Sequence, residues 1–363
     1  MSAGRGSVAA RIWALAAKET LQIVRDRTTL GMLLGVPLIQ VLLFGFAIQL
    51  TPRSLGLTIV TGSAAVASQL SQSLQGQTVD VAITVVSSEA IARRELRRGQ
   101  VALAVLADEI PIRVLVDGSD PVLATFTEAL VDRLSRTMGD SATGIATPPS
   151  ALRVETLFNP ELRTQPYLVS GLLGLILTMT MVMMSALSLA RERERGTLEN
   201  LVTLGARPLE LTIGKLSPYL LLGMLQAVIV LSVALFAFGI HIAGSILLLG
   251  AAVMLFAVAN LALGFLFSSL AAAQMPAMQM TFFFFLPSSL LSGFMFPFSA
   301  MPAWAQRLGE MLPLTHFLRI ARGIVLRAVD TEFVLQEIVP IAVFALIASV
   351  AAAWRCRRVL SGA

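Results

Sequence analysis

The chain has 363 residues and a formal net charge of +5; 56% of its residues are hydrophobic, 13% are charged, and its mean hydropathy is +0.80. Soluble domains carry about 25% charged residues, so this composition excludes a soluble protein and indicates a membrane protein. The single cysteine, Cys356, excludes an intrachain disulfide, and the basic residues do not indicate nucleic-acid binding because they lie beside apolar segments and form no single basic face.

The N-terminal region, residues 1–29, predicts an amphipathic helix on the cytoplasmic face of the membrane. Apolar positions recur at near-helical spacing, and charged residues fill other positions; the charged set is Lys18, Glu19, Arg25 and Asp26. The first predicted transmembrane helix follows at Leu30–Leu50. A cleaved signal peptide is the alternative, but the segment is too long for one and no small-x-small cleavage site ends it.

Residues 51–166 change pattern abruptly and predict an α/β domain outside the membrane, between the first two transmembrane helices. Five short segments read as strands, namely LGLTIV, VDVAITVV, VALAVLAD, PIRVLVDG and LRVETLFN, and helical patterns alternate with them. Ser88 is placed to cap the helix SEAIARRELRRGQ. Four acidic residues could bind a cation, but without EF-hand spacing ordinary turns are the preferred interpretation; they are Asp117, Asp120, Asp132 and Asp140.

The remainder, residues 167–363, predicts five further spans, for a polytopic α-helical membrane protein with six transmembrane helices. The five are Tyr167–Ala190, Leu216–Gly239, Ser245–Leu270, Met275–Phe298 and Gln336–Trp354. The short link near Ala271 makes the third and fourth of these a hairpin. Lys and Arg residues precede the first span, lie in the loop after the second and follow the sixth. Because such residues are enriched on the cytoplasmic side, this pattern predicts cytoplasmic N and C termini.

The segment 299–335 is too polar to span the membrane. Pro297, Pro302 and Pro313 are expected to break it into short helices, the last of which has an apolar face interrupted by Arg319 and Arg322. Its four arginines would lie outside, against the positive-inside rule, although acidic residues accompany them. These acidic residues are Glu310, Asp330, Glu332 and Glu337.

The sequence offers no energy source of its own. The span interiors lack the charged residues that an ion-coupled transporter normally needs, and their polar residues, such as Gln226 and Asn260, are expected to join helices by hydrogen bonds. A nucleotide-binding P-loop is also absent, since Gly214-Lys215 is followed by Leu216. The chain is therefore predicted not to be an enzyme, and any transport would need a partner that supplies energy.

The stretch RERERGTLENL, residues 191–201, follows the second predicted span directly. Its charges alternate in sign, Gly196 can end the helix, and Thr197 can cap a short new helix. The sequence thus predicts a charged elbow at the cytoplasmic end of the span. Charge alone fits a solvated helix end equally well.

Several motifs resemble the ABC-2 type permeases, the membrane subunits of multidrug, lipid and polysaccharide exporters, in the bacterial branch with a large extracytoplasmic insert. The resemblance covers nearly the whole chain. Its motifs are Lys18-Glu19, Arg25-Asp26-Arg27, VDGSDP at 116–121, FNPELR at 158–163, RERERGTLENL, GKLSPYL at 214–220 and the long stretch from Phe296 to Ile324. One departure is Ser170, where relatives often have proline.

The resemblance implies a coupling helix at 191–213 that docks on a nucleotide-binding subunit together with the N-terminal helix. The implied coupling residues are Glu192, Arg193, Glu194, Arg195, Gly196, Thr197, Glu199, Lys18, Glu19, Arg25 and Asp26. It also implies a re-entrant outer gate in 299–335, formed by Pro297, Pro302, Pro313, Phe317, Arg319 and Arg322. Met179, Met183, Asn260, Met278 and Phe282 are candidates for the substrate pathway, although core or lipid packing explains them equally well.

The resemblance implies the permease subunit of an ATP-driven exporter that moves a hydrophobic or amphipathic substrate by alternating access in a bacterial inner membrane. The chain itself would bind no cofactor or metal, since ATP and Mg²⁺ would bind the partner. The implied partners are ABC ATPase subunits, a second copy or similar permease, a periplasmic adaptor and membrane lipid. The alternative is a receptor or scaffold whose external domain binds a ligand; it predicts that the elbow is dispensable and that no ATPase co-purifies.

Overall fold

The computed structural model describes residues 54–64, 66–68, 80–109, 111–121, 123–125, 127–128, 131, 152–196 and 208–361. The predicted N-terminal helix, with Lys18, Glu19, Arg25 and Asp26, and the first predicted span lie outside these ranges. So do Asp132, Asp140, Thr197 and Glu199.

Residues 54–157 contain a five-stranded sheet of order β2-β1-β3-β4-β5. The strands are β1 (Ser54–Val60), β2 (Asp80–Val86), β3 (Leu103–Leu106), β4 (Ile112–Asp117) and β5 (Leu152–Leu157). Only the β3–β4 pair is antiparallel, because the short link between them allows a direct reversal while the parallel pairs need longer crossovers. The five predicted strand segments are thereby confirmed.

Apolar side chains of alternate strand residues form clusters on both faces of this sheet. Leu57, Ile59 and Val114 belong to one buried cluster, whereas Ala104 and Leu115 belong to another that includes helix α1. Helix α1 (Glu89–Arg98) begins as predicted, with the Ser88 hydroxyl accepting a hydrogen bond from the Ala90 amide at 3.2 Å. It ends at Gly99, whose φ of 69° lies in the left-handed region that favours glycine.

Within the described part of the chain, four helices are long and apolar enough to cross a membrane: Thr164–Glu194, Lys215–Phe236, Ile246–Leu270 and Thr331–Arg358. They lie within α2 (Thr164–Glu194), α3 (Pro208–Phe236), α4 (Ile246–Leu270) and α8 (Thr331–Ser361) and match the second, third, fourth and sixth predicted spans. Helix α5 (Gln274–Leu291) occupies most of the fifth predicted span but has only 18 residues.

One predicted span boundary was wrong. Helix α5 ends at Leu291 instead of Phe298, because the chain turns at Gly293, where φ is 82°. Helix α8 begins at Thr331 and contains the whole of the sixth predicted span, including Glu337. The predicted hairpin is confirmed, since only Ala271–Ala273 separate α4 from α5.

Small and polar residues let α2, α3 and α4 approach closely. A Cβ atom on Gly264 of α4 would collide with the Val182 carbonyl oxygen of α2, and the Ser185 hydroxyl of α2 donates to the Leu261 carbonyl of α4 at 2.6 Å. The Thr180 hydroxyl of α2 donates to the Gln226 side chain of α3 at 2.8 Å, which confirms the predicted linking role of Gln226. Such contacts are typical of packed membrane helices.

The outer segment, residues 292–330, contains a 3₁₀ turn (Phe298–Ala300), α6 (Ala303–Gly309) and α7 (Pro313–Arg327). Pro297 and Pro302 precede the first two, and Pro313 is the first residue of the third. The prediction that the three prolines set these short helices is confirmed, since proline suits the start of a helix and not its interior. Helix α7 is largely buried, and Phe317 stacks on Phe256 of α4 with ring centres 4.2 Å apart.

Candidate functional site

The charged elbow begins where α2 ends. The helix continues through Glu194, Arg195 forms its C-cap, and Gly196 adopts a φ of 66° with open space around its Cα. The predicted helix break at Gly196 is therefore confirmed. A side chain at this position would meet no neighbour but would be strained by the backbone conformation.

Glu192 binds the next membrane helix. Its carboxylate lies 3.1 Å from the Lys215 ammonium group of α3, and both side chains are partly buried. Lys215 was not among the predicted site residues. Its place in the GKLSPYL motif was a usable signal, but the pairing depends on how α2 and α3 pack.

Arg193 and Glu194 bind the link between α4 and α5. Arg193 donates through Nη1 to the Ala271 carbonyl at 2.6 Å. Glu194 accepts from the backbone amide of Gln274 at 2.8 Å and also from the Gln274 side-chain amide. Because Ala273, at the N-cap of α5, has no capping side chain, Glu194 supplies the missing acceptor from another helix. The elbow is thus braced against α3 and α5.

Three residues at the end of the elbow are exposed, namely Glu194, Arg195 and Gly196. Among the ion pairs of the described residues, none involves Arg195. The charged residues of the elbow therefore differ in their surroundings. Glu192, Arg193 and Glu194 contact the chain's own helices, whereas Arg195 is exposed.

At the other end of the helices, α7 and α8 share a partly buried ionic cluster. Nδ1 of His316 lies 2.6 Å from the Glu337 carboxylate, and Nε2 lies 2.9 Å from the Glu310 carbonyl. Burial alone would lower the pKa of His316, but these two hydrogen bonds outweigh it and the pKa is raised above its ordinary value. Arg319 completes the cluster with two hydrogen bonds to Glu310, the shorter 2.5 Å.

Arg322, one turn along α7, is held differently. Its Nη1 donates to the Gly293 carbonyl at 3.0 Å, and its Cζ lies 3.8 Å from the centre of the Tyr167 ring in α2. This cation–π contact and the hydrogen bond connect α7 to both α2 and the turn after α5. Of the predicted gate residues, Phe317 packs in the core while Arg319 and Arg322 hold neighbouring elements together.

Ion pairs also join the sheet to the ends of the helices opposite the elbow. Arg98 of α1 lies 2.9 Å from Asp330 and 2.7 Å from Glu332, and Arg327 of α7 lies 2.8 Å from Asp117. The acidic companions noted in the sequence thus pair with arginines from two parts of the chain. Asp117 is occupied by Arg327, and the described residues contain no group of three or more His, Cys, Asp or Glu placed to hold a metal.

The predicted pathway residues fall in two environments. Met179 and Met183 of α2 and Met278 of α5 are half-buried, and Phe282 of α5 is exposed. Asn260 is completely buried in α4 and donates to the Phe256 carbonyl of its own helix at 2.9 Å, so the expectation that its side chain joins two helices was wrong. Three cavities lined by described residues, of about 870, 510 and 310 Å³, have none of these five in their lining.

Comparison with known proteins gives consistent matches. A family model described as ABC-2 family transporter protein matches residues 27–354. The Escherichia coli K12 protein "Probable multidrug ABC transporter permease YbhS" is 30% identical over 335 residues, which cover 87% of this chain and 88% of that protein. "Probable multidrug ABC transporter permease YbhR" of the same strain is 30% identical over 358 residues, covering 92% and 94%. "ABC transporter G family member 20" of Dictyostelium discoideum is 22% identical over 341 residues, covering 88% of this chain and 47% of that protein.

Proposed function

Because the chain belongs to the ABC-2 family of transporter proteins, we propose that it exports a hydrophobic or amphipathic substrate across a bacterial inner membrane. It is a transmembrane permease subunit of an ABC transporter, and such a subunit works with a separate ATPase. The proposal adds three points to family membership: the substrate class, the outward direction of transport and the use of alternating access. ATP and Mg²⁺ would bind the ATPase subunit.

The braced elbow is the observation that supports the proposal most strongly. A surface that transmits movement from an ATPase subunit must be attached to the membrane helices that move. The elbow is attached to α3 through Lys215 and to α5 through Gln274. A displacement of the elbow would therefore move three membrane helices together. The exposed Arg195 is available to fix the register of a docked ATPase, since interfacial charges give specificity more than affinity.

The proposed topology follows from helix α2. Strand β5 ends seven residues before α2 begins, and the elbow is at the far end of the same helix, which supports placing the sheet and the elbow on opposite sides of the membrane. If the elbow docks on a cytoplasmic ATPase, the sheet would be extracytoplasmic. With the six spans expected from the sequence, both chain termini would then be cytoplasmic, in agreement with the flanking positive charges.

We place the substrate pathway and the contact with a second permease along α2 and α5. Leu168 and Leu172 are 42% and 41% exposed and share a helix face with Met179 and Met183. Met275 and Phe282 form a comparable exposed face on α5. A second copy of the permease would cover part of these faces, and flexible methionines would line an adaptable passage between the copies.

A transport assay with charge-exchanged variants tests the elbow directly. Inside-out vesicles containing the complex should accumulate amphipathic fluorescent dyes only with ATP, and an ionophore that dissipates ion gradients should leave accumulation unchanged. Glu192→Lys should abolish accumulation. The double variant Glu192→Lys with Lys215→Glu restores the internal ion pair and should recover accumulation, whereas Arg195→Glu should abolish accumulation although that ion pair is intact.

A double variant that stays inactive would contradict the proposal that Glu192 acts by bracing α3 through Lys215. Accumulation that collapses with the ion gradient while ATP remains would contradict ATP-driven transport. An Arg195→Glu variant that matches the wild type in a system where dye movement requires ATP would overturn the coupling role of the elbow.

A further inference from the structure

A cavity of about 310 Å³ lies between α3, α4 and α8, within the parts of these helices that are apolar enough to cross a membrane. Its lining side chains are apolar except for two serines, Ser217 and Ser349. Both serines and Val258 are exposed, so the cavity opens at the surface of the helices as a groove. The described residues that line this apolar groove include none from α2 or α5, which separates it from the proposed substrate pathway.

The apolar groove lies in the half of the membrane next to the elbow. On α3 it begins at Leu216, directly after Lys215, which binds Glu192 of the elbow. On α4 it runs from Val258 to Phe265, and at about 1.5 Å per residue these seven steps make it about 10 Å long. One leaflet of the hydrocarbon core is about 15 Å thick, half of the whole core, so the groove matches most of the depth of a single acyl chain.

The floor of the apolar groove consists of buried apolar side chains. Leu261 and Phe265 of α4 and Ala352 of α8 are each no more than 2% exposed. The short side chains of Ala262 and Ala353 leave the space between α4 and α8 unfilled. Because empty apolar space forfeits packing contacts, a hydrocarbon chain would gain contacts in the groove that a smooth helix surface does not offer.

Positive charge follows the apolar groove at its elbow end. Arg355, Arg357 and Arg358 come directly after the last lining residues of α8, and the sequence has no acidic residue after Glu337. Arg357 is exposed and lies one turn beyond Ala353 on the same face of α8. Among the ion pairs of the described residues, none involves Arg357. Its charge is therefore placed to attract an anion at the end of the groove.

Trp354 indicates the level of the membrane surface at this end of α8. It is 54% exposed, and Cζ of Arg358 lies 3.9 Å from the centre of its ring. Tryptophan near the end of a membrane helix is typical of the headgroup region. A free anion would use the arginines but not the groove, and a neutral lipid would use the groove but not the arginines. The two features together match a phospholipid with a negatively charged headgroup.

We propose that the apolar groove binds one anionic phospholipid, with an acyl chain between α3, α4 and α8 and the headgroup phosphate beside Arg357. A guanidinium suits this role because its N–H groups match the geometry of phosphate oxygens. The headgroup would lie near Lys215, whose ion pair with Glu192 braces the elbow. The proposal requires that these helices lie in a membrane, but it does not require that the chain exports a substrate.

Lipid binding to the purified full-length chain in a neutral detergent tests the proposal, and native mass spectrometry counts the bound lipids. The probes are phosphatidylglycerol, phosphatidylcholine with the same acyl chains, and inorganic phosphate. We expect one phosphatidylglycerol to bind saturably, about fivefold more tightly than phosphatidylcholine, and phosphate not to bind at the same concentrations. Equal affinity for the two lipids, or saturable binding of phosphate, would overturn the proposal. Absence of saturable lipid binding, as expected if the first predicted span or a second copy of the chain fills the groove, would also overturn it.

Two variants separate the groove from the charge at its end. Ala353→Phe fills the groove and should weaken binding of both lipids about tenfold, because it displaces about two methylene groups of the acyl chain. Ala351→Phe is the matched control, since Ala351 is half-buried on the same helix and does not line the groove. Arg357→Gln should lower the affinity for phosphatidylglycerol to that for phosphatidylcholine, whereas Arg307→Gln, at an exposed position in α6, should preserve the preference.

Equal binding by Ala353→Phe and Ala351→Phe would overturn the place of the acyl chain. An Arg357→Gln variant that keeps the preference for phosphatidylglycerol would overturn the place of the headgroup, and this exposed substitution remains informative if Ala353→Phe fails to fold. Lipid binding is measured without the ATPase. Its failure is therefore distinguishable from a failure of ATP-dependent dye transport.

Discussion

Replacing Glu337 with glutamine should remove a pH-dependent part of the protein's stability. Both ring nitrogens of His316 face oxygen acceptors, the Glu337 carboxylate at 2.6 Å and the Glu310 carbonyl at 2.9 Å. A neutral imidazole carries only one N–H, so this geometry favours the imidazolium form. The other charged groups that face the pair are Arg319, 3.6 Å from Glu337, and the Glu310 carboxylate, 3.7 Å from Nε2 of His316.

The size of the effect follows from burial. The side chains of His316 and Glu337 are only 6% and 15% exposed, so solvent screens the pair little. A hydrogen bond between charged groups contributes about 1.5–3 kcal/mol, and we expect Glu337→Gln to lower the free energy of unfolding by that amount at pH 6. Part of this decrease in the free energy of unfolding comes from loss of the Arg319–Glu337 ion pair, and that part does not depend on pH.

The pH dependence has a definite sign. Because the folded-state pKa of His316 is raised, its contribution to stability is fully present below the ordinary histidine pKa of 6.5 and is lost as the pH rises through the raised pKa. The difference between wild type and variant should therefore narrow as the pH rises from 6 to 9. Unfolding titrations in mixed micelles at several pH values measure it. A difference that stays constant over this range would refute the imidazolium assignment.

Three further perturbations follow from the packing. Phe317→Ala removes a completely buried ring that stacks on Phe256 and should lower the free energy of unfolding by about 3–5 kcal/mol in the same titration; a loss below 1 kcal/mol would contradict its place in the core. Gly264→Ala should broaden or abolish the monodisperse peak in size-exclusion chromatography, because the added Cβ would collide with the Val182 carbonyl oxygen. Gly250→Ala on the same helix should leave the peak unchanged, and equal behaviour of the two variants would argue against the close α2–α4 contact. Arg98→Ala should speed proteolytic cleavage between the sheet and the helices relative to Arg97→Ala, and equal rates would show that the Arg98 ion pairs do not hold the two parts together.

Features that depend on neighbouring residues could be predicted from the sequence. The cap at Ser88, the break at Gly196 and the start of α7 at Pro313 each follow from the chemistry of a residue at a helix end. The strands of the sheet followed from short β-branched runs between turns, as in VDVAITVV.

Features that depend on packing could not be predicted. Glu194 binds Gln274 across 80 positions, and Arg98 binds Asp330 across 232, so no local pattern reveals either pair. Hydropathy also misplaced the end of α5, because Phe294, Met295 and Phe296 continue the apolar composition after the chain has turned at Gly293. Apolar composition indicates that a segment favours a buried or membrane environment. It does not indicate where the helix ends, which here depends on the backbone conformation of Gly293.

Recovery of an ATPase with the tagged chain tests the central claim most directly. The chain would be extracted from its native membrane in mild detergent and its partners identified by mass spectrometry. We predict that a Walker-motif ATPase accompanies the wild type and the control variant Arg307→Glu but is lost from Arg195→Glu, since Arg195 is exposed at the elbow whereas Arg307 is exposed in the outer segment. A stable wild-type particle without ATPase would contradict the account and favour a receptor or scaffold, and equal recovery from Arg195→Glu would contradict docking through the elbow.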